Sequence, residues 1–433
     1  MLSFFYCTIK IYHKREGMGC FFFANFALLC VFAVKKIYRK GTRIISCRFQ
    51  KTIPDRLPGG IEEVEWLSMQ PFPFVPFRRR LIHWYTKNAR SLPWRDVGNP
   101  YFVWVSEIML QQTTTQTVQG YFDRFITAFP TIQSLAEAEL DTVNRYWEGL
   151  GYYRRCALLH QAAKEIVARF GGRFPTHFSD VRPLPGIGRY TAGAILSIAF
   201  DQRLPILEAN TLRLHARLLA IKGNIMRGEA NARLWQFAEE ILPRTGSGKV
   251  NQALMDLGSL VCTATSPKCA ECPAVVFCES AKQGLQNEIP TPKMKEAKEY
   301  RTEVALLIRK SGKTLLIRSP DGGRWAGLWD FPRAETNTEM PLELATDTFL
   351  QDTALHHRLS ELTGRKLMPG RLIHSLKHSV TKYRITLFFC EGRDTGRAGV
   401  KPLCETRWVT ARELQELPLN STARKLVEKM AEP

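Results

Sequence analysis

Negative charge is scarce in this chain: 41 Asp and Glu stand against 61 Lys and Arg, a formal charge of +20 over 433 residues. That shortage points to a polyanionic partner, nucleic acid ahead of a membrane surface. Long apolar runs are lacking too. Gly19–Val34, flanked by Lys14-Arg15 and Lys35-Lys36, is 16 residues long, short of the roughly 20 that cross a bilayer, and no small-residue cleavage site follows it. A marginal anchor, a targeting segment and an upstream stretch that is not normally translated compete for residues 1–68. The third is favoured, because Met69 opens a segment that at once becomes a coherent globular domain. Membrane anchoring through residues 19–34 is therefore not expected. Cysteine is too unevenly placed for a disulfide framework: of eleven, four crowd into residues 262–278 and the others are scattered. Such usage suits a reducing cytoplasm and a metal site.

The length allows two or three domains. From Phe77 to about Gln286 apolar residues recur at helical spacing, as in RRRLIHWYTKNA and LHQAAKEIVARF, with Pro and Gly breaking the segments. That pattern predicts an all-α domain. One stretch within it is almost without charge, since Glu107 alone is charged between Asp96 and Asp123. Set among Trp104, Val105, Ile108, Met109 and Leu110, a buried carboxyl has its pKa raised toward neutrality, as a general acid needs; on the outer face of an amphipathic helix it would be unexceptional. Gln111 and Gln112, ahead of three threonines, offer uncharged groups to base edges or cap a helix. In GLGYYRR, Tyr152 and Tyr153 lie between glycines and two arginines, either as a stacking wedge beside phosphate contacts or as plain packing.

The stretch LPGIGRYTAGAILSIAFDQRLPILEAN, Leu184 to Asn210, organises the rest. Pro185, Gly186 and Gly188 make a sharp turn before a helix that starts near Arg189, and the amides of Gly186 and Gly188 can approach a phosphate at the positive end of that helix. The helix is small and apolar, so it reads as a buried strut. Beyond it Glu208 and Asn210 arrive within one turn of a further helix, holding a carboxylate and an amide at a fixed distance from the phosphate clamp. Taken alone, Gly-x-Gly is equally a loop and Glu208 equally a helix-start carboxylate.

Cys262, Cys269, Cys272 and Cys278 follow the spacing C-x6-C-x2-C-x5-C. With a single C-x-x-C pair, four thiolates on one compact loop suit a [4Fe–4S] cluster better than a zinc ribbon, which uses two facing pairs. After Gln286, a Pro- and Lys-rich linker over 287–299 leads to alternating strands, Val304–Ile308 and Leu315–Ile317 first, then Tyr383–Cys390 and Glu405–Val409. Residues 300–433 thus form a smaller α/β module.

Five segments, LPGIGRYTAGAI, SEIMLQQT, GLGYYRR, NQALMDLGSLVC and the cysteine loop, together resemble the MutY-type adenine DNA glycosylases of the helix-hairpin-helix superfamily, over about residues 77–425. The resemblance implies a multi-domain chain: an all-α helix-hairpin-helix glycosylase domain over 69–286 with a [4Fe–4S] loop at 262–278, then a smaller Nudix-like α/β domain that recognises 8-oxoguanine. It implies base-excision repair by a monofunctional glycosylase that removes adenine mispaired with 8-oxoguanine or guanine in double-stranded DNA. The cluster would be its one cofactor, and the protein a monomer in the cytoplasm, associated with the nucleoid.

Residue by residue, Glu107 matches the family glutamate that protonates the flipped adenine, while Glu208 stands where the family normally has a catalytic aspartate and Ala209 where it has glycine. Asn210 and Arg213 match positions beside that carboxylate, Gln112 the glutamine at the opened pair, and Tyr152 the wedge next to the oxidised guanine. Tyr190 takes the place of the catalytic lysine of endonuclease III, so no Schiff base forms there and strong strand cleavage is not expected. His378 aligns with the histidine of a Phe-Ser-His lesion-reading loop whose first two residues are here Leu376 and Lys377. His357–Gly364 keeps one carboxylate of the Nudix metal box, so pyrophosphate hydrolysis is not expected. The rival readings are an endonuclease III-like lyase, a lesion-binding protein without catalysis and a nucleotide hydrolase.

Overall fold

A computed structural model describes residues 72–95, 97–291, 297–320, 322–336 and 349–431, together with a short antiparallel pair, β1 (Cys7–Lys10) and β2 (Phe21–Ala24). The readings placed on residues 1–68 otherwise lie outside the described residues, as does 292–296 of the linker. Among the described residues, no helix is long and apolar enough to cross a membrane.

Helices carry the chain from Phe74 to Lys282. In order they are α1 (Phe74–Asn88), α2 (Pro100–Leu110), α3 (Thr115–Ala128), α4 (Ile132–Glu137), α5 (Leu140–Trp147) and α6 (Arg154–Phe170), followed by α7 (Phe178–Val181), α8 (Arg189–Phe200), α9 (Ala209–Leu218), α10 (Gly228–Glu240), α11 (Ser247–Leu260) and α12 (Glu279–Lys282). Two cores form. Trp104, Phe122, Phe125, Trp147 and Ile195 fill one between α2, α3, α5, α6 and α8. Phe77, Leu81, Leu214, Phe237 and Leu257 fill the other between α1, α9, α10 and α11. The expected strut, α8, packs against both α2 and α11 and so bridges them. Its small residues are what let neighbours approach: Ala192 and Ala194 are fully buried, and a Cβ at Gly193 would come within 2.6 Å of Pro205 O.

The remaining strands are β3 (Glu299–Lys310), β4 (Lys313–Arg318), β5 (Trp329–Asp330), β6 (Arg333–Thr336), β7 (Arg365–Val380), β8 (Tyr383–Arg397) and β9 (Thr406–Val409). They make one sheet in the order β5-β4-β3-β8-β7, with β6 also on β3 and β9 on β4. β3 and β8 run parallel. Val304, Leu306 and Ile308 face a core closed by α13 (Thr353–Thr363), and Ala305 and Leu307 face one closed by α14 (Ala411–Glu416) and α15 (Ser421–Ala431). Covered on both faces, β3 is apolar at almost every central position, as buried strands are.

The stretch Leu376–Ser379, expected as a loop, is instead the outer half of β7, with Lys377 opposite Thr386 and His378 opposite Ile385. The register shifts of β7 lie farther back, between Arg365 and His374; from His374 to Val380 it pairs with β8 without a break, so the chain turns only at Thr381-Lys382. The sheet module leans on the helices through α5 and the turn after it. Arg318 reaches Asp141 at 2.5 Å, Arg424 reaches the buried Glu148 at 2.5 Å, and Leu328 enters the first helical core.

Candidate active site

Glu107 sits on the last full turn of α2, whose start is fixed by Pro100 at the first helical position and by the Asn99 side chain, which accepts from Tyr101 N at 2.9 Å. The residue is 4% exposed. Burial pushes its carboxyl up to about 7, the charge of Glu208 adds to the rise, and a hydrogen bond from Tyr190 and the charge of Arg95 oppose it. Tyr190, on the first turn of α8, donates its hydroxyl to Glu107 Oε2 at 2.6 Å. Burial, and then the two nearby carboxylates, hold that phenol well above its ordinary range, so it remains a donor. Three elements therefore converge: α2 supplies Glu107, α8 supplies Tyr190, and the start of α9 supplies Glu208, whose charge bears on both.

Beside Glu107 lies a pocket of about 40 Å³ lined by Arg90, Trp94, Arg95, Leu110 and Gln252 among others. Asp256, fully buried on α11, accepts from Arg90 Nε at 2.8 Å and from Arg95 Nη1 at 2.7 Å. Burial alone would raise this carboxyl, yet the two guanidinium groups hold it below its ordinary range. Asp256 is thereby a fixed anion that aims two arginines at the pocket wall.

Glu208 caps α9. Its Oε2 accepts from Asn210 N at 2.8 Å and Asn210 Nδ2 at 3.2 Å, its Oε1 accepts from Thr211 N at 2.9 Å, and its own amide donates to Thr211 Oγ1 at 2.9 Å. Glutamate is an uncommon cap because Asp, Asn and Ser fit the geometry with a shorter reach. Here the extra methylene is folded back so that both oxygens meet the first-turn donors. Asn210 is pressed from below by α11, where a Cβ at Gly258 would come within 2.9 Å of it. Arg213 donates to Asn210 Oδ1 at 3.0 Å, Gly258 O at 2.6 Å and Cys262 O at 2.8 Å, so it ties the Glu208 turn to the cysteine loop.

That loop wraps a second pocket, of about 20 Å³, whose walls include Cys262, Cys269, Cys272, Cys278 and Arg217. All four cysteines are free thiols. Arg217, 2% exposed, donates to Cys262 Sγ at 3.3 Å and to the carbonyls of Thr263 at 2.6 Å and Ile289 at 2.7 Å. Among the described residues no set of His, Cys, Asp and Glu gathers tightly around a single ion. The thiols instead share the walls of one cavity.

The surface residues separate cleanly. Gly186, at φ +77°, needs the freedom of glycine, and a Cβ there would also press within 3.0 Å of Leu158; Gly188 has ordinary extended backbone and caps α8, with open space where its Cβ would be. Both are exposed. Gln112 is exposed, whereas Gln111 is half-buried and reaches Thr191 Oγ1 at 3.5 Å. Of the two tyrosines, Tyr152 is 50% exposed and Tyr153 is buried, accepting from Gly149 N at 3.0 Å. His378 is half-buried, its ring 6.1 Å from Trp325, its Nε2 unpartnered among the described residues. Burial, then Arg333, lowers its pKa to about 4, so it is neutral at pH 7. Sequence reasoning reads Arg155 as a phosphate contact, but it is 9% exposed and its guanidinium is spent on main-chain carbonyls; it passes over Arg217, Gln252 and Asp256. The last two stand inside NQALMDLGSLVC, and a polar residue at a helical core position was the signal.

An exposed glycine turn leading into α8, two acids whose charges act on each other, and a helical domain backed by a cysteine loop together make the arrangement of a helix-hairpin-helix base-excision DNA glycosylase. Residues 105–240 match the model of the HhH-GPD superfamily of base excision DNA repair proteins, and residues 303–429 match that of the NUDIX domain. The adenine DNA glycosylase of Buchnera aphidicola subsp. Schizaphis graminum is 39% identical over 60% of this chain and 75% of its own. That of Rattus norvegicus is 32% identical over 81% of this chain and 77% of its own, and that of Mus musculus 32% over 91% and 87%. The chain belongs to the adenine DNA glycosylase family, and it is a DNA N-glycosylase of base excision repair.

Proposed function

We propose that this enzyme removes adenine mispaired with 8-oxoguanine, or with guanine, from double-stranded DNA, and that it works as a monomer in the cytoplasm on nucleoid DNA. The observation that carries the reading is the hydrogen bond from Tyr190 to Glu107, with Glu208 acting electrostatically on both.

The duplex is held by the amides of Gly186 and Gly188, Tyr152 and Gln112 enter the opened pair, and His378 meets the lesion strand. Adenine leaves the stack at a cost of a few kcal/mol, least at a mismatch. Tyr190 occupies one oxygen of Glu107 and fixes its orientation. The carboxyl, protonated up to about pH 7 by its burial, donates to adenine N7, so that breaking the C1′–N9 bond releases neutral adenine. The sugar left behind is cationic. Glu208 stabilises it through space or by transient attachment, the two-carboxylate logic of glycosidases, with Asn210 and Thr211 fixing its oxygens. Water adds at C1′, its proton passing to the Glu107 carboxylate left by the first step, and an abasic site remains. Tyr190 has no amine with which to form a Schiff base, so the strand stays intact.

Cys262, Cys269, Cys272 and Cys278 would hold a [4Fe–4S] cluster, which when bound staples the loop 262–278. Arg213 connects that loop to the turn carrying Glu208, and Arg217 ties it to the last turn of α9. The test is a duplex with adenine opposite 8-oxoguanine, incubated with wild type, Glu107→Gln and Glu208→Gln. Strand breaks only after alkali, lost in both variants, are expected; breaks without alkali would overturn the monofunctional reading, and tight binding without base release would overturn the catalytic one.

A further inference from the structure

Gln112 and Tyr152, the two exposed side chains read above as entering the opened pair, both have left-handed backbone, at φ +60° and +49°. Neither residue type favours that conformation, and such strain persists only where the surroundings over-determine it. One buried side chain does this for both. Arg155, on the first turn of α6 and 9% exposed, donates from Nη1 to the carbonyls of Ile108 at 2.8 Å, Met109 at 2.8 Å and Gln111 at 2.5 Å. Those are open carbonyls at the end of α2, just before Gln112. From Nη2 it donates to Gly151 O at 3.1 Å, directly before Tyr152, to Leu150 O at 3.4 Å and to Thr113 Oγ1 at 3.3 Å, directly after Gln112. The guanidinium carbon also stands 5.5 Å from the Tyr152 ring and 5.4 Å from that of Trp147.

We propose that Arg155 is the positioning residue that locks Gln112 and Tyr152 into one rigid two-pronged wedge, so that opening the base pair depends on it while chemistry on an already unpaired adenine does not. The inference rests on the reading of those two side chains as DNA contacts. Only a planar fork serves, because its two ends must bond two separate turns at once; a lysine ammonium is a single point.

The experiment measures single-turnover adenine release from two duplexes, one with adenine opposite 8-oxoguanine and one with adenine opposite an abasic-site analogue that leaves no partner base to displace. Wild type, Arg155→Lys, Tyr152→Ala and the double variant are compared. Loss of charge-assisted hydrogen bonds predicts that Arg155→Lys slows the paired substrate about 30-fold and the unpaired one less than about threefold. The double variant is expected to lose far less than the product of the single losses. Equal losses on both substrates, or multiplicative losses in the double variant, overturn the proposal and leave Arg155 a core residue. A paired rate untouched by Tyr152→Ala overturns the wedge reading itself and the proposal with it. Should Arg155→Lys lose its cooperative melting transition, Thr113→Val, which withdraws one Nη2 acceptor at near-constant volume, takes its place with the same unequal effect expected and the same equality overturning it.

Discussion

Tyr190 Oη lies 2.6 Å from Glu107 Oε2, joining the first turn of α8 to the last full turn of α2. The bond favours the ionised carboxylate and so opposes the burial that pushes Glu107 up. Tyr190→Phe removes that opposition without changing the packed ring. As a general acid Glu107 acts in its protonated form, so activity falls as pH rises through its pKa. The alkaline limb of the single-turnover rate is therefore expected to move to higher pH in Tyr190→Phe. A limb that stays in place, or moves down, would show that the titrating group is not the one Tyr190 touches.

The same burial makes Glu107 a liability to the fold. Its carboxyl ionises near 4.5 in the unfolded chain and at about 7 in the folded one. Between those values the native state binds more protons, so the stability it contributes is complete below about 4.5 and is lost as pH rises through 7. Two and a half units correspond to on the order of 3 kcal/mol at pH 8. Glu107→Gln, inactive by the mechanism above, is expected to melt higher than wild type at pH 8 and at about the same temperature at pH 4.5. An equal shift at both pH values would mean that something other than ionisation separates the two proteins.

At Glu208 both carboxylate oxygens already take donors of the first turn of α9. The longer acid has been folded back to make the contacts a shorter cap makes. Glu208→Asp is thus expected to keep adenine release within about tenfold of wild type and to leave the melting temperature level or raised, aspartate being the better cap. Glu208→Gln weakens the cap by about 1 kcal/mol and, by withdrawing the anion opposite the sugar cation, slows release by about 100-fold or more. If Glu208→Asp fell as far as Glu208→Gln, the pocket would be shaped around the longer side chain.

What could be seen in the sequence was whatever announces itself locally. One charge in a long apolar stretch marked Glu107, a Gly-x-Gly turn before small apolar residues marked the hairpin and its strut, and spacing alone marked the cysteine loop. The rest depends on partners far apart in the chain. Asp256 meets Arg90 and Arg95 across more than 160 positions, and in sequence a buried arginine such as Arg155 or Arg217 looks like any surface charge. Tyr152 and Tyr153 are one residue type side by side, and only the backbone turn decides which faces outward. The resemblance makes a loop of Leu376–Ser379, where the pairing of β7 with β8 in fact runs unbroken to Val380, a long-range partnership that the sequence does not announce.

His215 illustrates that blindness and yields a test of its own. In sequence it is a histidine between Arg213 and Arg217 on a helix; in the fold its ring is fully buried, edge-on to Phe237 at 5.3 Å, with neither nitrogen partnered among the described residues. Burial lowers its pKa from 6.5 to about 3. The unfolded chain takes up a proton below 6.5 that the native ring refuses, so stability present above 6.5 is lost as pH falls toward 3, on the order of 5 kcal/mol in all. His215→Leu, similar in volume and with no nitrogen to desolvate, is expected to be about 1–2 kcal/mol more stable at pH 7. Its advantage should widen as the pH drops to 4, read as the urea midpoint at each pH. An advantage that is constant from pH 7 to pH 4 would mean that the ring is protonated inside the fold with a partner, and that its place between α9 and α10 is polar.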